Sequence, residues 1–216
     1  MTIFILGKGG HAKVVADMVP LAEQIGIDEE SMIMEDDILY VGVGIGIDCG
    51  VPKDHRRMFE KFPHNRFPPA LHPDAAISPT AEIGDGTVVC ARAVVGVDAK
   101  LGKNVLVNTG AQIDHDCEIG NHTVIAPGVI ICGGVKLGKS CTIGVGAIIV
   151  QRVELPDETR VPGGTLVVGQ DDFRKPLRVV WNNGADTLKG LTPTAHPAKD
   201  VVQTVSIRLN PDPQQG

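Results

Sequence analysis

The sequence predicts a short α/β unit followed by a parallel β-helix built from hexapeptide repeats. Three observations carry this. An aliphatic residue stands at every sixth position from Ile77 to Val167. A small or short-branched residue precedes each by two places, from Ala75 to Thr165. The chain opens on a strand, a glycine-rich turn and a helical stretch, "TIFIL", "GKGGH" and "AKVVADM".

The N-terminal elements come first. Residues 2–6, "TIFIL", read as a buried strand, and "AKVVADM" has helical spacing. Between them, turn amides and a helix N-terminus form the kind of unit that faces an anion. The turn is not a full GxGxxG and carries no Walker Lys-Ser/Thr pair, so the pattern alone fits a purely structural turn as well. A second strand is expected at "ILYVGVG" (38–44) and a second helix at about 53–61. The unit is expected to span 1–70 and to end near "NRFPPALHPDA".

The repeat follows. Sixteen consecutive sixth positions, beginning Ile77, Ile83, Val89 and ending Leu155, Val161, Val167, are all Ile, Leu or Val. With about a quarter of positions aliphatic by chance, such a run arises on the order of once in a billion registers. Residues two apart share a strand face. A period of six is therefore a short strand and a sharp corner, and three such strands close a triangle around the aliphatic residues. Sixteen hexapeptides make a little over five coils, roughly 25 Å tall at about 4.8 Å per coil. Cys117 and Cys141 fall at the small inward position, and Pro156 and Pro162 fall at corners. The β-helix is expected over 71–181, with 182–216 as a C-terminal extension whose "NPDPQQG" reads as a disordered end.

Composition limits the function. Aromatics are 3% of the chain, as suits a core of thin repeated layers rather than a bulky globule. A net charge of −6 speaks against a long nucleic-acid partner, which needs a basic face. No apolar run reaches spanning length, and "MTIFILGKGGHA" lacks the features of a signal peptide. Five cysteines without a CxxC pair predict reduced thiols and a cytoplasmic location.

"GKGGHAKVV", "ALHPDAAIS" and "VNTGAQIDHDCEIG" together resemble the NeuD/PglD-like family of sugar acetyltransferases, over residues 1–20 and about 67–181. The resemblance implies a Rossmann-like domain and a left-handed β-helix, assembled as a homotrimer with active sites between subunits. It implies acetyl-CoA as co-substrate, no metal, and an amino sugar linked to UDP, dTDP or GDP. It places His115 at the general base, Asp116 at the carboxylate beside it, and Asn108 with Thr109 at the sugar. Gly7, Gly9, Gly10 and His11 match the nucleotide-binding turn, and Asp36 and Asp37 align loosely with an acidic pair that reads the base. Gly133 matches an amide donor to the thioester carbonyl, and Gly144, Val145 and Gly163 are candidate contacts for the coenzyme A arm. The chain departs from the family at Val124, where relatives carry a histidine; His122 stands two places earlier. It also lacks a Gly-Asp-Asn segment, and its interval before "ILYVGVG" is short enough that one or two strands look deleted.

The chemistry fits the residue types. Acyl transfer to an amine needs a positioned nucleophile, a donor for the developing oxyanion, and a base for the proton that nitrogen sheds. Histidine titrates near working pH, and a neighbouring carboxylate fixes its tautomer. "DHD" offers Asp114 and Asp116, between which spacing does not choose. His115 lies two places past the inward Ile113, at a corner, and Gly133 lies eighteen residues on, one coil up the same edge. Outward apolar residues such as Val88, Val124 and Ile148 predict a face covered by neighbouring subunits. The same site suits O-acetylation of sialic acid or another sugar, and a non-catalytic hexapeptide subunit is a further alternative. A zinc hydratase needs three imidazoles around one metal, whereas the repeats hold only His115 and His122, spaced H-x6-H.

Overall fold

A computed structural model of the chain describes residues 2–7, 9–25, 33–34, 37–41 and 53–168. The expected C-terminal extension, Asp36 and Cys49 lie outside these residues.

The N-terminal part is a three-stranded parallel sheet with a helix against it. Strands β1 (Ile3–Leu6), β2 (Glu23–Ile25) and β3 (Ile38–Val41) lie in the order β2-β1-β3. The strand β2 falls in the interval that the sequence reading left without an element. Helix α1 (Gly10–Met18) starts after Gly9 in extended conformation and stops at Val19, whose N–H donates to Val15 O, just before Pro20. Helix α2 (Lys53–Lys61) occupies the span expected for it.

From Ala70 to Val167 the chain forms a left-handed parallel β-solenoid of two-residue strands, β4 (Ala70–Leu71) to β20 (Leu166–Val167), spaced six residues apart. The first strand precedes the first expected repeat, since Leu71 continues the six-residue series backwards from Ile77. Three faces result, with strands stacked eighteen residues apart, as in Val88↔Leu106↔Val124. Inside, Val95, Ile113, Ile131 and Ile149 stack at no more than 1% exposure between Ala93, Ala111, Val129 and Ala147. Inward Thr123 is satisfied: its Oγ1 donates to Gly138 O at 2.9 Å and accepts from Cys141 N–H at 3.2 Å.

The corners follow one rule. Every sixth residue from 86 to 164 has a positive φ between 53° and 70°. Glycine holds six of these places; Asp98, Asn104, Asp116 and His122 are among the others. Asn, Asp and His enter this region more readily than other side chains.

The three faces differ outwardly. The first (β4, β7, β10, β13, β16, β19) carries Ala70, Val88, Leu106 and Val124, covered by Ile5 of β1 and by Ala12 and Val15 of α1. Val88 and Val124, expected to await a neighbouring subunit, are therefore 1% and 0% exposed within the single chain. The N-terminal unit seals them, and they share one cluster with it. The second face (β5, β8, β11, β14, β17, β20) exposes Val94, Ile130 and Ile148 at 38%, 37% and 38%. The third (β6, β9, β12, β15, β18) presents Glu82, Lys100, Glu118, Lys136 and Glu154 in alternation, with Nζ–Oε1 distances of 3.3 Å for Lys100–Glu82 and 3.5 Å for Lys136–Glu118. Such exposed pairs contribute about 0–1 kcal/mol each; their alternation keeps the face wetted.

Candidate functional site

His115 stands at the corner between β11 (Gln112–Ile113) and β12 (Glu118–Ile119), the edge joining the second and third faces. Inward Ile113 and Cys117 anchor both sides of the corner, each at 0% exposure, so the residues between them must turn outward. The His115 side chain is 59% exposed. Its Nδ1 lies 2.7 Å from Asp116 Oδ2. Asp116, with φ 57°, folds back toward the ring that precedes it. Asp114 does a different job: its Oδ1 accepts the His115 backbone N–H at 2.8 Å. The two carboxylates that spacing could not separate are thus divided between ring and backbone.

Both raise the proton affinity of the imidazole. The hydrogen bond to Asp116 acts first and the nearby charge of Asp114 second, and together they hold the His115 pKa above its ordinary value. With Nδ1–H donated to Asp116, Nε2 is left as the basic nitrogen. The ring lies against Gly133, one coil up; Gly134 N–H donates to His115 O at 2.9 Å and ties the two coils together. Below, Gly96 permits equally close stacking, since a Cβ there would sit 2.8 Å from His115 N. Sequence reasoning did not single out Gly96; the glycine following the sixth-position aliphatic residue was the available signal.

The other expected residues divide between two further places. Asn108, Thr109, Gly144, Val145 and Gly163 lie on the opposite edge of the second face, the corner it shares with the first. Thr109 and Gly163 are exposed, and Val145 is 61% exposed. The chain does not bring these residues to His115: the strands of the second face intervene. Gly7, Gly9, Gly10 and His11 cluster at the C-terminal end of β1 and the start of α1. Gly7 has φ 120°, which demands glycine. Side chains built at Gly9 or Gly10 would meet nothing within 4 Å among the described residues, so their smallness serves no packing there. Burial pushes the His11 pKa down to about 4, and its Nε2 has no partner among the described residues.

Asp37 and His122 both have structural partners. Asp37 is a backbone staple: it is 4% exposed, and its carboxylate accepts N–H bonds from Thr2 at 2.6 Å and Met34 at 3.0 Å. Those bonds hold its pKa below the usual carboxylate value. His122 occupies the edge between the third and first faces, 3.0 Å by Nδ1 from Asn104 Nδ2 and edge-on to Phe59 of α2. It does not share an edge with His115. His72 turns the chain into the solenoid, its Nδ1 accepting the Asp74 N–H at 3.0 Å.

A concavity of about 1350 Å³ lies on the open charged third face among Glu118, Lys136 and Glu154, and it holds neither His115 nor the glycine turn. Among the described residues no three His, Cys, Asp or Glu side chains converge as a metal site, and no helix is long and apolar enough to cross a membrane. The described thiols Cys90, Cys117, Cys132 and Cys141 are free.

The family profile "Bacterial transferase hexapeptide (six repeats)" matches residues 98–133, the stretch that carries His115. Among solved structures, the acetyltransferase domain of PglB from Neisseria gonorrhoeae is 28% identical, with 77% of this chain and 91% of that one covered and a TM-score of 0.70. Its complex with acetyl coenzyme A is 28% identical over 78% of this chain and 96% of that one, with a TM-score of 0.65. A histidine-to-alanine variant of GDP-perosamine N-acetyltransferase from Caulobacter crescentus, in complex with CoA and GDP-perosamine, is 26% identical, with 78% and 89% covered and a TM-score of 0.69. The chain resembles the NeuD/PglD-like sugar acetyltransferases. No curated protein sequence matches it. Two of these three structures hold CoA or acetyl coenzyme A.

Proposed function

We propose that this protein is an acetyl-CoA-dependent N-acetyltransferase acting on a nucleotide-linked 4-amino-4,6-dideoxysugar, with His115 as general base. One observation carries the reading: an outward imidazole with Nδ1 held 2.7 Å from a carboxylate and Nε2 without a hydrogen-bond partner among the described residues, on the coil that matches the transferase repeat. The relatives with CoA, acetyl-CoA and GDP-perosamine bound support the co-substrate and the substrate class.

In the reaction the sugar amine attacks the thioester carbonyl carbon, the C–S bond breaks, and the coenzyme A thiolate leaves. The proton shed by nitrogen passes to His115 Nε2 and from there to the thiolate. Asp116 holds the ring and stabilises its imidazolium form. The backbone N–H of Gly133 makes no hydrogen bond among the described residues, which suits a donor to the developing oxyanion.

The sugar nucleotide's diphosphate is assigned to the turn at Gly7, Gly9, Gly10 and His11, in a Rossmann-like unit of reduced size. The open space at Gly9 and Gly10 supports it. Asn108, Thr109, Gly144, Val145 and Gly163 are assigned to substrate and coenzyme A across a subunit boundary. The two edges that carry them and His115 flank the one face exposing three large aliphatic residues, Val94, Ile130 and Ile148. A homotrimer would cover that face and bring one copy's edge to the other edge of its neighbour.

The test is incubation with acetyl-CoA and a panel of UDP-, dTDP- and GDP-linked amino sugars and their hydroxyl counterparts, followed by mass spectrometry. Acetylation of an amino sugar at nitrogen supports the reading. Acetylation confined to the hydroxyl counterparts, or no product from any of them, counts against it.

A further inference from the structure

The edge around His115 contains a contact that a role for Gly133 as amide donor does not explain. A Cβ built at Gly133 would lie 2.5 Å from His115 Nε2, 2.6 Å from Cε1 and 3.1 Å from Cδ2. All three of its nearest neighbours are atoms of one imidazole, and no backbone atom is among them. Gly133 itself does not have a positive φ, so its backbone would accept alanine. Other corner glycines differ: Gly84, Gly96 and Gly120, each half-buried, are confined by the backbone of the next coil. At 133 the conformation does not require glycine, and the nearest obstacle to a side chain is the imidazole ring rather than the backbone of the next coil.

We propose that Gly133 is a positioning residue whose missing side chain is the seat of the His115 imidazole, letting the ring occupy that space while Nδ1 reaches Asp116. The inference rests on the catalytic reading of His115 only for its consequence in turnover; the seat itself is a statement about the ring. Two contacts and one gap set the ring's orientation. Asp116 Oδ2 holds Nδ1 at 2.7 Å, Gly134 N–H fixes His115 O at 2.9 Å, and Nε2 and Cε1 occupy the space that a side chain at Gly133 would take. With the side chain 59% exposed, a methyl group at 133 would not break the core. The ring would swing toward solvent and leave its carboxylate.

The experiment is Gly133→Ala, read in three ways. NMR titration of the His115 ring in the free protein should show its pKa falling toward the ordinary histidine value, because the hydrogen bond to Asp116 is the largest cause of its elevation. Turnover should fall on the order of 100-fold, as misplacement by an ångström costs. Alanine keeps the N–H, so that loss would not be a loss of the oxyanion donor. The KM for acetyl-CoA should change little, whereas simple obstruction of the thioester would raise it. In a His115→Ala background the same substitution should cost no further rate, as for residues acting through one another. An unchanged ring titration, or an undiminished cost in the His115→Ala background, overturns the proposal. If Gly133→Ala does not fold, the double variant decides: folding restored by removing the ring supports the seat, and failure to fold without the ring refutes it. If His115→Ala itself keeps full turnover, the catalytic reading fails while the titration still tests the seat.

Discussion

The sharpest consequence of the site concerns pH. In the free enzyme His115 must be neutral to accept a proton, so kcat/KM should rise with pH through the imidazole ionisation and then flatten. Its pKa is held above 6.5, first by the bond to Asp116 and next by the charge of Asp114. The rising limb should therefore sit above 6.5 in the native protein. Asp116→Asn removes the largest cause, and the limb should move to lower pH while the plateau falls, because the ring loses its anchor. Asp114→Asn should move the limb in the same direction by less. His115→Ala should remove the imidazole limb, leaving only the rise set by the substrate amine, and lower kcat at neutral pH by about 10²–10⁴-fold, the usual contribution of a general base. Thermal stability should hardly change, since a side chain 59% exposed leaves no cavity. Part of the rate should return at high pH, where more of the substrate amine is unprotonated. The measurement is a set of kcat/KM profiles from pH 5 to pH 9 for the four proteins, with pre-steady-state confirmation that chemistry limits turnover. Near-native turnover of His115→Ala at neutral pH, or an Asp116→Asn limb that moves upward, would refute the reasoning.

The remaining predictions concern other parts of the molecule. Gly9→Val should raise the KM for the sugar nucleotide and spare acetyl-CoA affinity, with little change in Tm, since a side chain there meets nothing within 4 Å; equal losses for both substrates would make the turn structural. Light scattering should give a trimer mass, and Ile148→Glu on the exposed second face should give monomers with little activity; a native monomer would remove the shared site. His11, with its pKa lowered to about 4, is neutral in the fold and protonated in the unfolded chain between pH 6.5 and 4. Stability should be complete above pH 6.5 and fall as pH drops through that window, and His11→Gln should flatten the fall, as urea titrations at several pH values would show.

Much of the architecture was legible in the residues. An inward side chain in a hexapeptide is chosen by neighbours two and six places away, and its stacking partners lie eighteen places away at a constant interval. Ile113, Ile131 and Ile149 therefore announced the core, and the corner position of His115 followed from Ile113 and Cys117 beside it. What the outward residues meet was not legible. Val88 and Val124 look the same in sequence as Ile130 and Ile148. The first pair is buried only because α1, more than seventy residues upstream, packs on their face. Nor did "DHD" reveal its division of labour. Asp116 reaches the ring because the corner puts it at φ 57°, while Asp114 is turned back to the backbone N–H. The periodic part of this protein is encoded by short-range spacing, which a sequence displays directly. The covering of one face and the seating of one imidazole against Gly133 arise from contacts between distant segments, and only the folded chain sets those distances.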